Sequence, residues 1–181
     1  MGMLLAFAPF IVFVVLERFV GITAGLVSAS VTSVLLLLHD LIAHRKVKVL
    51  ELGTLVLFGG LALYAKFADP NWSIIAVRLR VDAGLLLIVL VSLAIRRPFT
   101  LQYATEQVSQ DLWSSPDFIR TNYLITAVWA LAFTVMVIAE AAILYAPGLP
   151  TKVGVIITVA ALYGAFRFTA DYPKCRERAR P

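Results

Sequence analysis

A group of six charged side chains, within or beside strongly apolar stretches of this chain, is predicted to lie together at one end of a helical bundle, where a charge is energetically unfavourable. They are three acids and three bases, namely Glu17, Arg18, Arg78, Arg80, Asp82 and Glu140. A charge at the centre of a membrane-spanning helix costs roughly 2.5–3.5 kcal/mol on insertion scales, so such residues usually face the interior of a helical bundle. Two interpretations follow: interhelical ion pairs that fix the packing, or a polar cavity whose guanidinium groups bind an anionic headgroup or a phosphate.

The spacing of these residues predicts two of the pairs. Arg78 and Asp82 are four residues apart and share one face of a helix, which predicts that they pair. Arg80 points away from that face. Counted along ideal helices from their outer ends, Arg80 and Glu140 lie at similar depths of roughly 12 Å and 10 Å, which predicts a second pair.

Patterns typical of enzymes are missing from the sequence. His39 and His44 are the only two histidines, and a five-residue separation does not align two metal ligands on one helix face. The sequence has no HExxH motif, no Gly-x-Ser-x-Gly motif, no phosphate-binding loop and no pair of cysteines. We therefore predict that the protein is not an enzyme and has no catalytic residues, metal site or cofactor.

The composition predicts a membrane protein. Hydrophobic residues make up 61% of the 181 residues and charged residues 15%, whereas soluble domains carry about 25% charged residues. The net charge of +5 in such a chain indicates membrane orientation and not a nucleic-acid partner.

Apolar stretches of nearly spanning length occur six times, at residues 3–20, 21–38, 50–67, 71–95, 118–145 and 151–168. A spanning helix needs about 20 such residues. We predict an all-α, polytopic helical bundle that forms one domain over residues 1–168, followed by a basic cytoplasmic tail at 169–181. Because the first stretch is short and contains Pro9, five spans with a re-entrant first segment are the alternative.

The basic residues predict the orientation of this bundle. If six helices alternate, 11 of the 16 Lys and Arg residues fall on one side: Arg45, Lys46, Lys48, Arg96, Arg97, Arg120, Arg167, Lys174, Arg176, Arg178 and Arg180. The positive-inside rule places this side, and with it both chain termini, in the cytoplasm.

Two further patterns concern packing. Apolar residues recur at helical spacing from Leu101 to Leu112, which predicts an interfacial amphipathic helix near 100–113 that serves as a packed connector or as a docking surface. A stripe of small residues allows close approach of another helix. Its members are Gly21, Gly25, Ala29 and Ser33. We favour packing within the monomer, with a homodimer face as the alternative.

Short motifs along the chain match, in order and at similar spacing, those of one family of membrane proteins. They are PFIVF at 9–13 with Arg18, RKV at 45–47, FGGLAL at 58–63, the basic pair Arg78 and Arg80, and WALAF at 129–133. On these residues the chain resembles the bacterial intracellular septation protein A family of small inner-membrane proteins. Asp82 and Glu140 stand where that family has neutral polar residues, so the chain resembles a divergent member.

The resemblance implies a multi-pass protein of the bacterial inner membrane with a role in envelope integrity and septation. It also implies contacts with division and wall-synthesis proteins and no catalytic activity. The leading hypothesis is therefore a non-enzymatic envelope factor that binds membrane lipids or protein partners.

Two other function classes compete with this hypothesis. A small transporter or channel would need a pore or alternating access through the charged cluster. A lipid-modifying membrane enzyme would need an ordered set of acid, base and nucleophile, which the sequence lacks.

The predicted orientation has a direct test in Cys175, the only cysteine in the chain. We expect a membrane-impermeant maleimide to leave Cys175 unlabelled in intact cells and to label it once the inner membrane is opened. Efficient labelling in sealed cells would reverse the topology.

Overall fold

The regular elements of this protein are helices throughout the part that the computed structural model describes, namely residues 3–44, 47–68, 71–146 and 148–178. The all-α prediction is confirmed. Seven α-helices follow one another: α1 (Ala8–Phe19), α2 (Ile22–His44), α3 (Val49–Ala68), α4 (Ile74–Ala94), α5 (Phe99–Ala104), α6 (Pro116–Tyr145) and α7 (Thr151–Arg178). Two 3₁₀ turns lie at Met3–Phe7 and Gln110–Leu112.

Four of the helices, α2, α3, α6 and α7, are long and apolar enough to cross a membrane. The structure thus agrees with a membrane protein, although it supports fewer spans than the six predicted. α1 has only 12 residues, which span about 18 Å at 1.5 Å per residue. α4 has 21 residues, but its first half contains Arg78, Arg80 and Asp82, which lower its apolar character.

The chain packs as two compact units, Met1–Ile88 and Val89–Pro181. The sequence predicted a single domain over 1–168. It carries no sign of this division, because no linker or change of composition marks the boundary inside α4. Arg45, Lys46 and Arg180, on which the orientation prediction partly rests, lie outside the described residues.

In the first unit, α1 and α2 form a tight hairpin. Pro9 lies in the first turn of α1, where a missing N–H is tolerated, so it begins the helix and does not kink it. α1 ends where the N–H groups of Val20 and Gly21 both donate to the Leu16 carbonyl. Gly21 has a φ of 121°, a conformation that glycine adopts readily, and α2 starts at the next residue.

Aromatic and aliphatic side chains of all four helices form the core of this unit. Phe13 of α1, Phe58 of α3 and Val77 of α4 are at most 1% exposed, and Leu26 of α2 is fully buried between them. The rings of Phe13 and Phe58 lie 5.7 Å apart. This core fixes the packing of the helices around it and brings the end of α1 beside α4.

Three members of the predicted stripe of small residues, Gly25, Ala29 and Ser33, lie on α2 and pack inside the first unit. The fourth, Gly21, lies in the turn before α2, and a Cβ atom there would meet nothing within 4 Å. A Cβ atom added to Gly25 would lie 3.0 Å from the backbone nitrogen of Glu17 and 3.1 Å from the carbonyl oxygen of Phe13. Ala29 and Ser33 are buried as well. This arrangement favours packing within the monomer over a dimer face.

In the second unit, the packing of α6 against α7 is centred on Trp129. Its ring is fully buried, meets the ring of Phe166 edge to face at 5.2 Å, and its Nε1–H donates to Thr169 Oγ1 over 3.0 Å. α7 continues helically to Arg178, so most of the predicted tail at 169–181 is helical.

The predicted interfacial helix near 100–113 is shorter than expected. α5 ends at Ala104 and buries Phe99, Thr100 and Tyr103. Thr105, the first residue after the helix, donates its Oγ1–H to the Gln102 carbonyl over 3.0 Å. Turns and the 3₁₀ turn Gln110–Leu112 follow.

The close approach at Gly25 predicts the effect of adding one methyl group. We expect Gly25→Ala to lower the stability of the protein in detergent by about 1–3 kcal/mol, since backbone atoms of α1 must move. Gly59→Ala is the matched control, because a Cβ atom there would make only an ordinary 3.5 Å contact with Ser30 Oγ. Thermal unfolding followed by circular dichroism measures both, and equal melting temperatures for the two variants would contradict the packing.

Candidate functional site

The centre of the charged cluster is an ion pair between Glu17, near the end of α1, and Arg78, in the second turn of α4. Arg78 Nε–H donates to Glu17 Oε1 over 2.5 Å, and an Nη2–H of the same guanidinium donates to the same oxygen. The Glu17 side chain is 0% exposed and that of Arg78 is 27% exposed. The pair joins residues that are 61 positions apart in the chain.

This pair replaces the one predicted between Arg78 and Asp82, which was wrong. Glu17 lies one helical turn after Phe13, and Arg78 directly follows Val77, so the apolar core places their side chains together. A fully buried carboxylate gains more from a cation than a partly exposed one does. Asp82 is partly exposed and makes no hydrogen bond or ion pair with any other residue that the structure describes.

Arg78 satisfies only one of the two Glu17 oxygens. Glu17 Oε2 is buried and has no hydrogen-bond donor among the described residues. Arg18, the neighbouring residue, is exposed. The buried part of the cluster therefore consists of one guanidinium and one carboxylate, and one oxygen of the carboxylate accepts no hydrogen bond from a described residue. This arrangement fits an ion pair that fixes helix packing better than an open cationic cavity.

Arg80 is exposed and occupies a different environment from Arg78. Its Nη1–H donates to the Ala76 carbonyl over 2.7 Å, and its Cζ lies 4.7 Å from the ring centroid of Trp72. Trp72 is itself stacked on Tyr64, with centroids 5.1 Å apart and planes inclined by 16°. We call Tyr64 and Trp72 the aromatic platform.

The contacts of Arg80 with Ala76 and the aromatic platform determine the direction in which its side chain runs along α4. Both contacts are with residues that precede Arg80, so the side chain runs back towards the start of α4. A long cationic side chain that snorkels in this way carries its charge towards the nearer end of the helix. The predicted partner of Arg80, Glu140, is partly buried in α6 of the second unit, and that pairing stays a prediction.

A second ionic cluster, which the sequence analysis did not identify, joins the end of α2 to the start of α3. Lys48 Nζ pairs with Asp40 Oδ2 and lies 3.4 Å from Glu51 Oε1. These side chains are 4%, 4% and 7% exposed. His39 Nδ1 lies 3.2 Å from Asp40 Oδ1. From the sequence, Lys48 counts only among the cations that predict the cytoplasmic side. Its three-residue spacing from Glu51 was the one signal that predicts a pair.

In the second unit, three buried polar residues of α5 and α6 contact one another. Thr100 Oγ1 lies 2.8 Å from the Asn122 carbonyl oxygen and 2.7 Å from Thr126 Oγ1. All three residues are buried. Because these contacts are hydroxyl and carbonyl groups within one unit, they fix α5 on α6 and offer no charged site.

No family model, curated protein or solved structure matches the chain.

The Glu17–Arg78 pair predicts unequal effects of removing each partner. We expect Arg78→Met to lower stability in detergent by about 3–5 kcal/mol, because it leaves a fully buried carboxylate without a counter-ion. Glu17→Met should cost less, since the partly exposed guanidinium of Arg78 can turn towards solvent. The double variant should lose less than the sum of the two.

Chemical denaturation of the three variants measures these differences, with Arg97→Met as the control because Arg97 is exposed. Strictly additive losses, or a larger loss for Glu17→Met, would show that the two side chains are not a buried pair.

Proposed function

We propose that this protein is a non-enzymatic, multi-pass protein of the bacterial inner membrane that supports the cell envelope by holding anionic lipid headgroups of the outer leaflet. The observation that carries the proposal is the position of Arg80. It is an exposed guanidinium on the aromatic platform, with its charge turned back towards the start of α4.

In this proposal α4 also crosses the membrane. Its 21 residues span about 31 Å, close to the thickness of the hydrocarbon core. Glu17 neutralises Arg78, and the backward course of Arg80 moves the second positive charge towards the lipid headgroups. α1, which is too short to span alone, then serves as a short or re-entrant segment that brings Glu17 to α4. The C-terminus is then cytoplasmic, as the basic residues predict, and the N-terminus lies on the outer side, because five spans are an odd number.

The aromatic platform has the chemistry of a headgroup site at the membrane interface. Among the described residues, Arg80 donates one N–H group, to the Ala76 carbonyl, so most of its planar fork is available for two-point bonding to a phosphate. Tryptophan and tyrosine are typical of the interfacial region. Tyr64 and Phe67 are 54% and 79% exposed, and they offer apolar surface to an acyl chain beside the headgroup.

The resemblance to the septation protein A family supports the same role. The basic pair at Arg78 and Arg80 belongs to the motifs that carry the resemblance. In this proposal Arg78 pairs with the buried Glu17, and Arg80 offers an exposed cation to the lipid. Contacts with division and wall-synthesis proteins are part of the proposal on the strength of the resemblance.

A small transporter or channel is the second candidate. Asp82 favours it, because this acid lies inside α4 without a hydrogen-bond partner among the described residues, and an ionisable group within a membrane helix marks ion pathways in many transporters. Ion flux into sealed proteoliposomes that disappears in Asp82→Asn would support the transporter over the lipid-binding role.

Replacement of Arg80 tests the proposed lipid site. We expect Arg80→Gln to bind phosphatidylglycerol about tenfold more weakly, since charge-assisted hydrogen bonds contribute about 1.5–3 kcal/mol. Arg80→Lys should be intermediate, because it keeps the charge but loses the fork. Native mass spectrometry of the purified protein with added lipid measures the affinity, and cells that carry each variant report envelope-stress sensitivity.

Lys66→Gln is the matched control for this experiment. Lys66 is an exposed cation in the last turn of α3, on the same predicted side of the membrane, and is not part of the aromatic platform. Equal losses of lipid in Arg80→Gln and Lys66→Gln would reduce the effect to general attraction. Unchanged lipid binding and unchanged stress sensitivity in well-folded Arg80→Gln would refute the proposal.

A further inference from the structure

A groove of about 580 Å³ lies on the surface of the second unit. α6 contributes most of its lining, and the end of α4 and the last part of α7 complete it. The lining residues are Leu93, Arg120, Tyr123, Leu124, Ala127 and Tyr172. Three of them are apolar, two are tyrosines and one is a cation, so the groove combines a hydrophobic wall with polar groups that favour an anion.

The packing of α6 on α7 fixes the positions of the polar residues. The hydrogen bond from Trp129 to Thr169 sets the register of the two helices. Tyr172 lies one turn beyond Thr169, and its ring is stacked on that of Phe168 with centroids 4.8 Å apart. Arg120 and Tyr123 are three residues apart on α6 and share a face. The tyrosines and the arginine are therefore held together by a buried core.

The polar groups of the groove are available to a ligand. The Arg120 guanidinium and the hydroxyl groups of Tyr123 and Tyr172 form no hydrogen bond or ion pair with the other residues that the structure describes. The nearby carboxylate of Asp171 is already paired with Arg167 over 3.1 Å. None of the described residues that line the groove is a carboxylate. One permanent cation and two hydroxyl donors around one space match a phosphodiester, which carries one negative charge and accepts several hydrogen bonds.

The apolar lining narrows the chemical class of this ligand. Leu124 is 41% exposed and Ala127 is exposed one turn further along α6, so the wall of the groove continues from the cation onto the outer surface of a helix long enough to span a membrane. A free phosphate would use the polar groups alone. A phospholipid uses both parts, because its acyl chain lies along the apolar wall.

We infer that this groove binds the headgroup of an anionic phospholipid, with the phosphodiester on Arg120, Tyr123 and Tyr172 and an acyl chain against Leu124 and Ala127. Arg120 belongs to the side that the basic residues predict to be cytoplasmic, so the lipid belongs to the inner leaflet. The site lies in the other unit from Arg80 and takes the same class of ligand as the proposed function, but from the opposite leaflet. Failure of either site leaves the other untouched.

Binding of phosphatidylglycerol and phosphatidylcholine to the full chain in detergent, measured by native mass spectrometry, tests the inference. A variant with Arg80→Gln serves as the starting protein, so that the platform on α4 does not contribute. We expect phosphatidylglycerol to bind more tightly than phosphatidylcholine. Adding Arg120→Gln should weaken phosphatidylglycerol binding about tenfold, whereas adding Arg97→Gln, which removes an exposed cation outside the groove, should leave it unchanged.

A second pair of variants tests the groove itself independently of charge. Ala127→Trp should fill the groove and abolish phosphatidylglycerol binding. Leu131→Trp places the same side chain one turn away at an exposed position outside the lining and should retain binding. Thermal unfolding confirms that each variant is folded, and the double variant Tyr123→Phe with Tyr172→Phe keeps the rings while removing both hydroxyl donors, so it should also weaken binding.

Three results would overturn the inference. Equal loss of binding in Arg120→Gln and Arg97→Gln would indicate general attraction to a basic surface. Equal binding of the two lipids would exclude an anion site. Displacement of phosphatidylglycerol by millimolar inorganic phosphate would assign the groove to a soluble phosphate compound instead of a lipid.

Discussion

The buried ion pair between Glu17 and Arg78 is the interaction on which the first unit depends. A carboxylate that is fully removed from solvent is strongly unfavourable unless a cation meets it at hydrogen-bond distance. α1 is too short to cross a bilayer, and its contribution is to carry Glu17 to α4. The turn at Gly21 and the close approach at Gly25 hold α1 against α2, and the aromatic core then places Glu17 beside Arg78. Each of these features helps to bring Glu17 within hydrogen-bond distance of Arg78.

The pair also separates the roles of two similar residues. Arg78 and Arg80 are two positions apart, so their side chains leave α4 on different sides. One meets the buried carboxylate and the other runs back over Trp72, where its donors remain available. Two arginines that look equivalent in the sequence therefore have different functions: one stabilises the helix inside apolar surroundings, and the other presents a cation at the surface.

The sequence predicted the helices better than the contacts between them. The apolar stretch at 50–67 differs from α3 by one residue at each end, and 71–95 contains α4, because apolar runs of this length leave few alternatives to a helix. The partner of Arg78 was not predictable in the same way. Asp82 is the nearest acid along the chain. Arg78 nevertheless pairs with Glu17, because the packing of Phe13 against Phe58 brings Glu17 to it. No local pattern in the sequence encodes a contact over 61 positions.

The same limit explains the other differences. From the sequence, Lys48 is one more cytoplasmic cation, whereas in the structure it pairs with Asp40 near the end of α2. The helix expected near 100–113 had the correct apolar spacing, but α5 ends at Ala104 after burying Phe99, Thr100 and Tyr103. Local periodicity indicates where a helix is favourable, whereas packing against distant residues decides how much of it forms and what it contacts.

Hydrogen exchange at the guanidinium groups tests the central claim most directly. In nitrogen-15 NMR spectra of the protein in detergent, the Nε–H group of Arg78 should exchange with water far more slowly than that of Arg80, because it donates to a buried carboxylate oxygen over 2.5 Å. Its protection should vanish in Glu17→Met, which removes the acceptor, while the spectrum of Arg80 stays the same. Equally fast exchange at Arg78 and Arg80 in the unmodified protein would contradict the buried pair and the division of roles derived from it.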